Sequence, residues 1–166
     1  MARSLDAFLE EVARRGSWLG GGTVAAVSLA LAAALVEKLA VQPAAARRLR
    51  RIRRECLRWA EQDAQRFANV IEAMRQDGHR FPQALRAATE IPWHVFQRSH
   101  VVQGACRAAQ RSVNARFHSD LRCAMALAQA AGAGAHALIE TNLAWLKDPR
   151  YTRMMRRRLA AARASR

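Results

Sequence analysis

Hydrophobic positions recur every three or four residues along most of the chain, which is the spacing of one face of an α-helix. A short first helix is predicted after Ser4, whose hydroxyl suits the N-terminal cap of a helix. Its apolar stripe consists of Leu5, Phe8, Leu9 and Val12. An alanine-rich second helix covers about 24–41 and stops before Pro43. The start of the chain is therefore predicted to be helical.

The third predicted helix is the longest, at about 44–76. Its apolar positions are Leu49, Ile52, Cys56, Trp59, Phe67, Val70 and Met74. We expect this stripe to face the core and the arginines of 47–54 to face solvent. Asp63 fills the one gap in the stripe, and a buried carboxylate is costly unless it is paired or hydrogen-bonded. Asp63 is therefore either a structural residue bonded to a facing helix or a functional residue.

The second half of the chain predicts two further long helices and a basic tail. Ile91-Pro92 is expected to break or kink the chain before a helix at about 93–116. His118-Ser119-Asp120 is expected to be a connector and cap for a helix that ends near Lys147. A basic tail helix covers 149–166. The prediction is a single all-α domain, 1–166, folded as an antiparallel bundle of five to six helices.

Charge narrows the choice of partners. Lys and Arg number 28 against 13 Asp and Glu, so the net charge is +15 and anionic partners are favoured. Aromatic residues make up only 6% and do not interleave the arginine runs, so nucleic acid is not the favoured anion. The second helix carries Glu37 and Lys38 and barely reaches the ~20 apolar residues of a membrane span. We therefore expect a soluble protein that does not bind a membrane.

Cysteine and histidine patterns indicate no metal site. Cys56, Cys106 and Cys123 are odd in number and widely spaced, which argues against a zinc site and a disulfide framework. Buried free thiols fit the reducing cytoplasm. The histidines are dispersed, with no pair at metal-ligand spacing. No metal site is expected.

Gly20-Gly21-Gly22-Thr23 is predicted to be a loop that opens the second helix. Bare main-chain N–H groups at a helix start favour an anion or a developing oxyanion. The segment lacks the lysine and the spacing of a phosphate-binding loop. A tight crossing of two helices would also require glycines, so both interpretations stand.

Five short motifs, in this order, resemble those of the cyclodeaminase/cyclohydrolase family, which includes the cyclodeaminase half of formiminotransferase-cyclodeaminase and stand-alone methenyltetrahydrofolate cyclohydrolases. They are Ser4-Leu5 and Phe8-Leu9 with Gly20-Gly21-Gly22-Thr23-Val24-Ala25-Ala26; Asp63, Phe67, Val70 and Ala73; Ala88-Thr89-Glu90-Ile91-Pro92; Asn114 with Ser119-Asp120-Leu121 and Ala124; and Asn142-Leu143 with Lys147-Asp148. The chain departs from the family pattern at Gly16-Ser17-Trp18-Leu19, at Lys38-Leu39 and at Leu138, where the family has Pro-x-Pro, Met-Val and a second Asn.

The resemblance implies a folate substrate and no cofactor. Formiminotetrahydrofolate would be cyclised with loss of ammonia, or methenyltetrahydrofolate would be hydrolysed, and both reactions need a proton to be moved between heteroatoms. Asp120 is the first candidate for this role, and Asp63 and Glu37 are the second. The implied substrate-binding residues are Gly20, Gly21, Gly22, Thr23, Ser119 and Asn114. The apolar circumference of the second helix predicts a homodimer.

The length of the predicted helix limits this hypothesis, and an alternative function stands beside it. If Asp120 and Asn142 share one unbroken helix, about 33 Å separate them, so they cannot line one pocket of one subunit. Either Asn142 is structural or a second subunit brings it near Asp120. The alternative function is that of a catalytically diverged, arginine-rich helical protein that binds a polyanion or a partner protein. The enzyme hypothesis requires the glycine segment and a carboxylate to share one cleft.

Overall fold

The computed structural model describes residues 4–76 and 78–164, which form six α-helices and one 3-10 turn. The helices are α1 Leu5–Ala13, α2 Gly21–Leu39, α3 Pro43–Gln76, α4 Phe81–Gln110, α5 His118–Leu146 and α6 Pro149–Ala164; the 3-10 turn Ala115–Phe117 precedes α5. The predicted all-α antiparallel bundle of five to six helices is confirmed. The tail helix was predicted to reach 166, of which the last two residues lie outside the described part.

The core lies among α2, α3, α4 and α5, and α2 is its central element. Three of its alanines, Ala26, Ala32 and Ala33, are completely buried, so the neighbouring helices approach closely. α2 is long and apolar enough to cross a membrane by length and composition alone. However, 56% of its apolar stretch is already buried inside the bundle, as expected for a core helix.

Two helix ends follow the predicted capping chemistry. The Ala7 N–H donates to the Ser4 hydroxyl oxygen at 3.2 Å, which caps α1. α5 ends at Lys147 in the left-handed conformation, with φ at 52°. Asp148 then accepts from the main-chain N–H groups of Arg150 and Tyr151 and caps the start of α6.

The break predicted at Ile91-Pro92 does not occur. α4 runs without interruption through Pro92 and ends at Gln110 rather than near 116. A proline inside a helix costs about 3 kcal/mol or more, because it removes one hydrogen bond and crowds the preceding turn. Ile91, Pro92 and Trp93 are all buried, so packing of this segment offsets the cost.

The long apolar stripe of α3 is only partly buried. Leu49, Ile52, Cys56 and Val70 lie in the core, as predicted. The prediction is wrong for Phe67 and Met74, which are 41% and 53% exposed. With 34 residues α3 is about 50 Å long and extends beyond the shorter α2. The C-terminal part of α3 is therefore covered by other helices on only a portion of its apolar face.

Candidate active site

The glycine segment forms the first turn of α2 instead of a loop. α2 begins at Gly21, with Gly20 as its N-cap, so the predicted start near 24 was late by one turn. Three glycines signal a loop because of their entropic cost in a helix. Here two of them are helical because another helix lies directly against this turn.

That neighbour is α3, which brings Asp63 onto the start of α2. A Cβ atom added to Gly22 would lie 2.3 Å from Asp63 Oδ1, so only glycine permits this approach. The Thr23 hydroxyl donates to Asp63 Oδ2 at 3.1 Å and also lies 3.4 Å from the carbonyl oxygen of Ala60. Asp63 therefore caps α2 from outside, in place of the side chain that Gly20 lacks.

The environment of Asp63 favours its neutral form. Burial raises the pKa of this carboxyl, while the hydroxyl and main-chain N–H of Thr23 lower it by a smaller amount. Within the described residues, Asp63 has no salt bridge to a lysine or arginine. Its pKa is therefore above the ordinary value, a property typical of carboxyl groups that transfer protons.

A cavity of about 220 Å³ opens beside this turn. Its wall contains the three glycines and Asp63, with aromatic side chains from Trp18, Phe67 and Trp145. The ring centroids of Trp18 and Phe67 lie 6.0 Å apart. The glycine turn and a carboxyl therefore share one cleft, which is the geometry that the enzyme hypothesis required.

The opposite wall of the cavity comes from α4 and α5. Asn142 donates from Nδ2 to Thr89 Oγ1 at 3.2 Å, and Thr89 in turn donates to the carbonyl oxygen of Leu85 at 2.7 Å. This chain of hydrogen bonds fixes the orientation of the Asn142 amide. Neither Thr89 nor Trp145 was predicted to belong to a site, although Trp145 lies one helical turn after Asn142.

The other two candidate carboxylates lie at the far end of the bundle. Asp120 Oδ2 accepts from Lys38 Nζ at 2.7 Å. Glu37 accepts from the Nε atoms of Arg50 and Arg53 at 2.8 and 3.0 Å, and these guanidinium groups lower its pKa. Because α2 has 19 residues, its two ends are separated by about 27 Å. Neither carboxylate lines the cavity beside Gly22.

Asn114 and Ser119 lie near Asp120. The Asn114 side chain accepts from the Arg116 N–H and caps the 3-10 turn, and Ser119 is exposed in the first turn of α5. The connector predicted at His118-Ser119-Asp120 is thus already helical, because the turn Ala115–Phe117 supplies the connection. As α5 is unbroken, the predicted separation of Asp120 and Asn142 holds within one chain. The substrate roles of Asn114 and Ser119 stay predictions.

The two buried cysteines have thiols that ionise less readily than an ordinary thiol. Burial raises the pKa of the Cys56 thiol to about 12 and that of the Cys106 thiol to about 11. Cys123 is exposed, contrary to the expectation that all three are buried. In 4–76 and 78–164, no three His, Cys, Asp or Glu side chains are grouped so as to hold a metal ion.

Comparison with known proteins agrees with this architecture. The crystal structure of formiminotetrahydrofolate cyclodeaminase from Thermotoga maritima superposes with a TM-score of 0.86 at 23% identity, over 98% of this chain and 89% of that chain. This similarity shows a common fold. No curated protein sequence matches. The family model described as formiminotransferase-cyclodeaminase matches residues 4–161, so the chain belongs to the formiminotransferase-cyclodeaminase family.

Proposed function

We propose that this protein is an enzyme of folate one-carbon metabolism that acts at the one-carbon unit of a reduced folate. It either cyclises formiminotetrahydrofolate with release of ammonia or hydrolyses methenyltetrahydrofolate. The observation that carries the proposal is the half-buried Asp63 carboxyl, without a salt bridge, on the wall that contains the glycine turn. Family membership supplies the substrate class.

Asp63 is the group that moves the proton. In the cyclisation, the anilino nitrogen bonds to the formimino carbon and loses its proton, and the departing nitrogen leaves as ammonia after gaining one. In the hydrolysis, water bonds to the methenyl carbon and loses one proton, and the ring then opens as one carbon–nitrogen bond breaks and the released nitrogen gains a proton. A positioned carboxyl with a raised pKa can accept and return that proton, which contributes about 10²–10⁴ in rate. Thr23 holds the carboxyl in place.

The remaining wall suits a flat, partly aromatic substrate. Trp18, Phe67 and Trp145 provide ring faces and edges against which a pterin or aminobenzoyl ring can pack. Arg66 and Arg80 line a neighbouring groove between α3 and α4. We propose that these guanidinium groups bind the glutamate carboxylates of the substrate, because arginine binds carboxylates in a bidentate manner.

We further propose that the enzyme is a cytoplasmic homodimer that completes its site with Asp120 of a second copy. Apolar side chains are exposed on α1, at Leu5 and Leu9, and on α2, at Val24 and Leu31. α5 also exposes a row of small side chains: Ala126, Ala130, Ala133 and Ala137. These surfaces would become buried when two copies associate.

The positions of Asp120 and Asn142 along α5 indicate how the two copies would be arranged. Ala131 lies midway between Asp120 and Asn142, eleven residues from each. A two-fold axis that crosses α5 near this midpoint would lay a second copy antiparallel to the first. Asp120 of one chain would then approach Asn142 of the other, together with its neighbours Ser119 and Asn114. This is how the first catalytic candidate would join the cavity that contains Asp63.

Turnover of the purified protein tests the proposed reaction. Formation of the methenyl chromophore from formiminotetrahydrofolate, with one ammonia released per turnover, would establish the cyclodeaminase activity. Loss of the same chromophore from supplied methenyltetrahydrofolate would establish the cyclohydrolase activity. Absence of both activities, together with absence of folate binding, would contradict the proposal.

Mixing two inactive variants tests the shared site. If Asp63 and Asp120 act from different chains, Asp63→Asn and Asp120→Asn subunits would each be inactive alone. Random exchange of subunits would restore roughly a quarter of the wild-type rate, because half of the dimers are mixed and each mixed dimer has one intact site. No recovery in a mixture whose subunits have exchanged would contradict the shared site, and light scattering checks that dimers are present.

The second candidate function is binding of a polyanion. Arg47, Arg48 and Arg54 are exposed on α3 without a salt bridge in the described residues. Salt-sensitive binding of a polyanion such as heparin, in a protein without folate binding or turnover, would favour this alternative. The shared location of the glycine turn and Asp63 supports the enzyme instead.

A further inference from the structure

A second cavity, about 550 Å³ in volume, opens between α4, α5 and α6. We call it the α6 cavity. The wall residues that matter here are Phe96, Ser99, Gln103, Gly132, His136 and Arg163. It shares none of its wall residues with the cavity that contains Asp63, and Gly132 and Asn142 are about 15 Å apart along α5. The family function therefore leaves this space without a role.

The close approach of α4 and α5 shapes the α6 cavity. A Cβ atom on Gly132 would lie 2.5 Å from the hydroxyl oxygen of Ser99 and 3.9 Å from Nε2 of Gln103. Gly132 is therefore the position at which the α5 main chain meets two polar side chains of α4. The Ser99 proton is directed to the carbonyl oxygen of Phe96, at 2.8 Å.

Gln103 supplies an amide to the wall of the α6 cavity. The residue is only 6% exposed and lines the α6 cavity. Its side-chain amide makes no hydrogen bond within the described residues. The amide is not completely buried, so a ligand or a water molecule in the cavity can hydrogen-bond to it.

The charge of the α6 cavity indicates the kind of ligand. Its wall contains one guanidinium group, Arg163, and no described Asp or Glu. An adjoining larger cavity adds Arg48 and Arg107. The Arg163 guanidinium lies 5.7 Å from the centroid of the Phe96 ring, and the His136 ring lies 5.8 Å from the same centroid. Hydrogen-bond donors beside an aromatic face suit a small anion with a flat body.

We propose that the α6 cavity is a binding site for a small oxyanion, of which an aromatic carboxylate fits best. Its oxygens accept hydrogen bonds from the Arg163 guanidinium and the Gln103 amide, and its ring packs against Phe96. This site takes no part in the folate reaction, but its wall includes Ala133 of α5, which the proposed dimer would bury.

Calorimetric titration of the full chain with benzoate, acetate and inorganic phosphate tests the site, with benzamide as the neutral match to benzoate. We expect benzoate to bind at least about tenfold more tightly than benzamide, because a hydrogen bond to a charged group contributes more than one to a neutral group. Acetate shows what the carboxylate contributes without the ring. Phosphate distinguishes a carboxylate site from a general oxyanion site.

Three variants locate the binding. Arg163→Gln and Gln103→Leu should each weaken benzoate binding about tenfold or more. Arg157→Gln is the matched control, because Arg157 is exposed on the same helix and does not line the α6 cavity. Circular dichroism verifies that each variant folds. If Gln103→Leu does not fold, the comparison of Arg163→Gln with Arg157→Gln still tests the site, because both arginines are exposed.

Two results would overturn the proposal. The first is no binding of benzoate, acetate or phosphate by the folded wild-type protein, which would mean that water hydrates Gln103. The second is binding that Arg157→Gln weakens as much as Arg163→Gln does, which would indicate general attraction to the positive surface.

Discussion

The two ends of α2 hold carboxyl groups in opposite environments. At its N-terminal end Asp63 is half-buried, has no salt bridge to a lysine or arginine, and has a raised pKa. At its C-terminal end Glu37 is bound by two arginines, which lower its pKa, and Asp120 lies in an ion pair with Lys38. All three residues were catalytic candidates on sequence grounds.

The partners of a carboxyl group decide its chemical use. A carboxylate held between guanidinium groups is a weak base, because protonation would break its ion pairs. A desolvated carboxyl group beside a cavity binds a proton more readily and can still release it. Within one chain, Asp63 is therefore the better proton carrier and Glu37 the better structural anchor.

The largest expected effect is on turnover. Asp63→Asn keeps the size of the side chain but removes the proton acceptor, so kcat should fall by about 10²–10⁴. Glu37→Gln is the matched change at the other end of α2 and should retain most of the activity. Steady-state assays of both variants with the folate substrate make the measurement. An equal loss of kcat in the two variants would contradict the assignment of the proton transfer to Asp63 rather than to Glu37.

The next effect concerns the close contact at Gly22. Gly22→Ala should lower the free energy of unfolding by about 1–3 kcal/mol, because the new methyl group collides with the Asp63 carboxyl. Gly21→Ala, one residue earlier, meets Leu138 at an ordinary 3.7 Å and should be neutral or slightly stabilising. Urea unfolding of both variants checks this. Similar stability of the two would show that Asp63 moves away without cost.

The dependence of stability on pH should have opposite signs at the two ends. The raised pKa of Asp63 means that the unfolded chain ionises first as pH rises above 3.8, so this residue destabilises the fold increasingly until its folded-state pKa is passed. The lowered pKa of Glu37 means that its stabilisation is present above 4.5 and is lost as pH falls through its folded-state pKa.

Subtracting the matched variants isolates these two contributions. We subtract the free energy of unfolding of each variant from that of the wild type. For Asp63→Asn this difference should fall as pH rises from about 4. For Glu37→Gln it should increase as pH rises through the acid range. Thermal or urea unfolding at several pH values supplies the curves. Parallel slopes would show that the two carboxyl groups share one electrostatic environment.

The smallest effect is expected at the ion pair of Lys38 and Asp120. Both side chains are substantially exposed, so Asp120→Asn should change the free energy of unfolding by at most about 1 kcal/mol. Molar salt should reduce even that difference, because exposed charges are screened. A loss of several kcal/mol in urea unfolding would show that this end of the bundle is held together by the pair.

Much of the fold could be predicted from local patterns. Spacing of apolar residues located the helices, Ser4 located the first cap, and Asp148-Pro149 located the end of α5. The continuous path of α4 through Pro92 could not be predicted, because the packing that offsets the missing hydrogen bond comes from other helices. The exposure of Phe67 likewise depends on how far α3 extends beyond its neighbours.

The candidate site was predicted in part. The gap in the α3 stripe predicted a buried Asp63, and the glycines predicted a special helix start. Their meeting was not predictable, because Asp63 and Thr23 are 40 residues apart and come together through helix packing. For the same reason the sequence could not show that Asp120 and Glu37 lie at the other end.

Pro92 has a consequence for the wall of the cavity that contains Asp63. The ring has no N–H, so the carbonyl oxygen of Ala88, four residues earlier, lacks the donor that a regular helix would supply. Ala88 and Pro92 both lie on the cavity wall. A main-chain carbonyl does not titrate and has no rotamers. The Ala88 carbonyl oxygen is therefore an acceptor without its usual helical donor, and its position depends neither on pH nor on a side-chain rotamer.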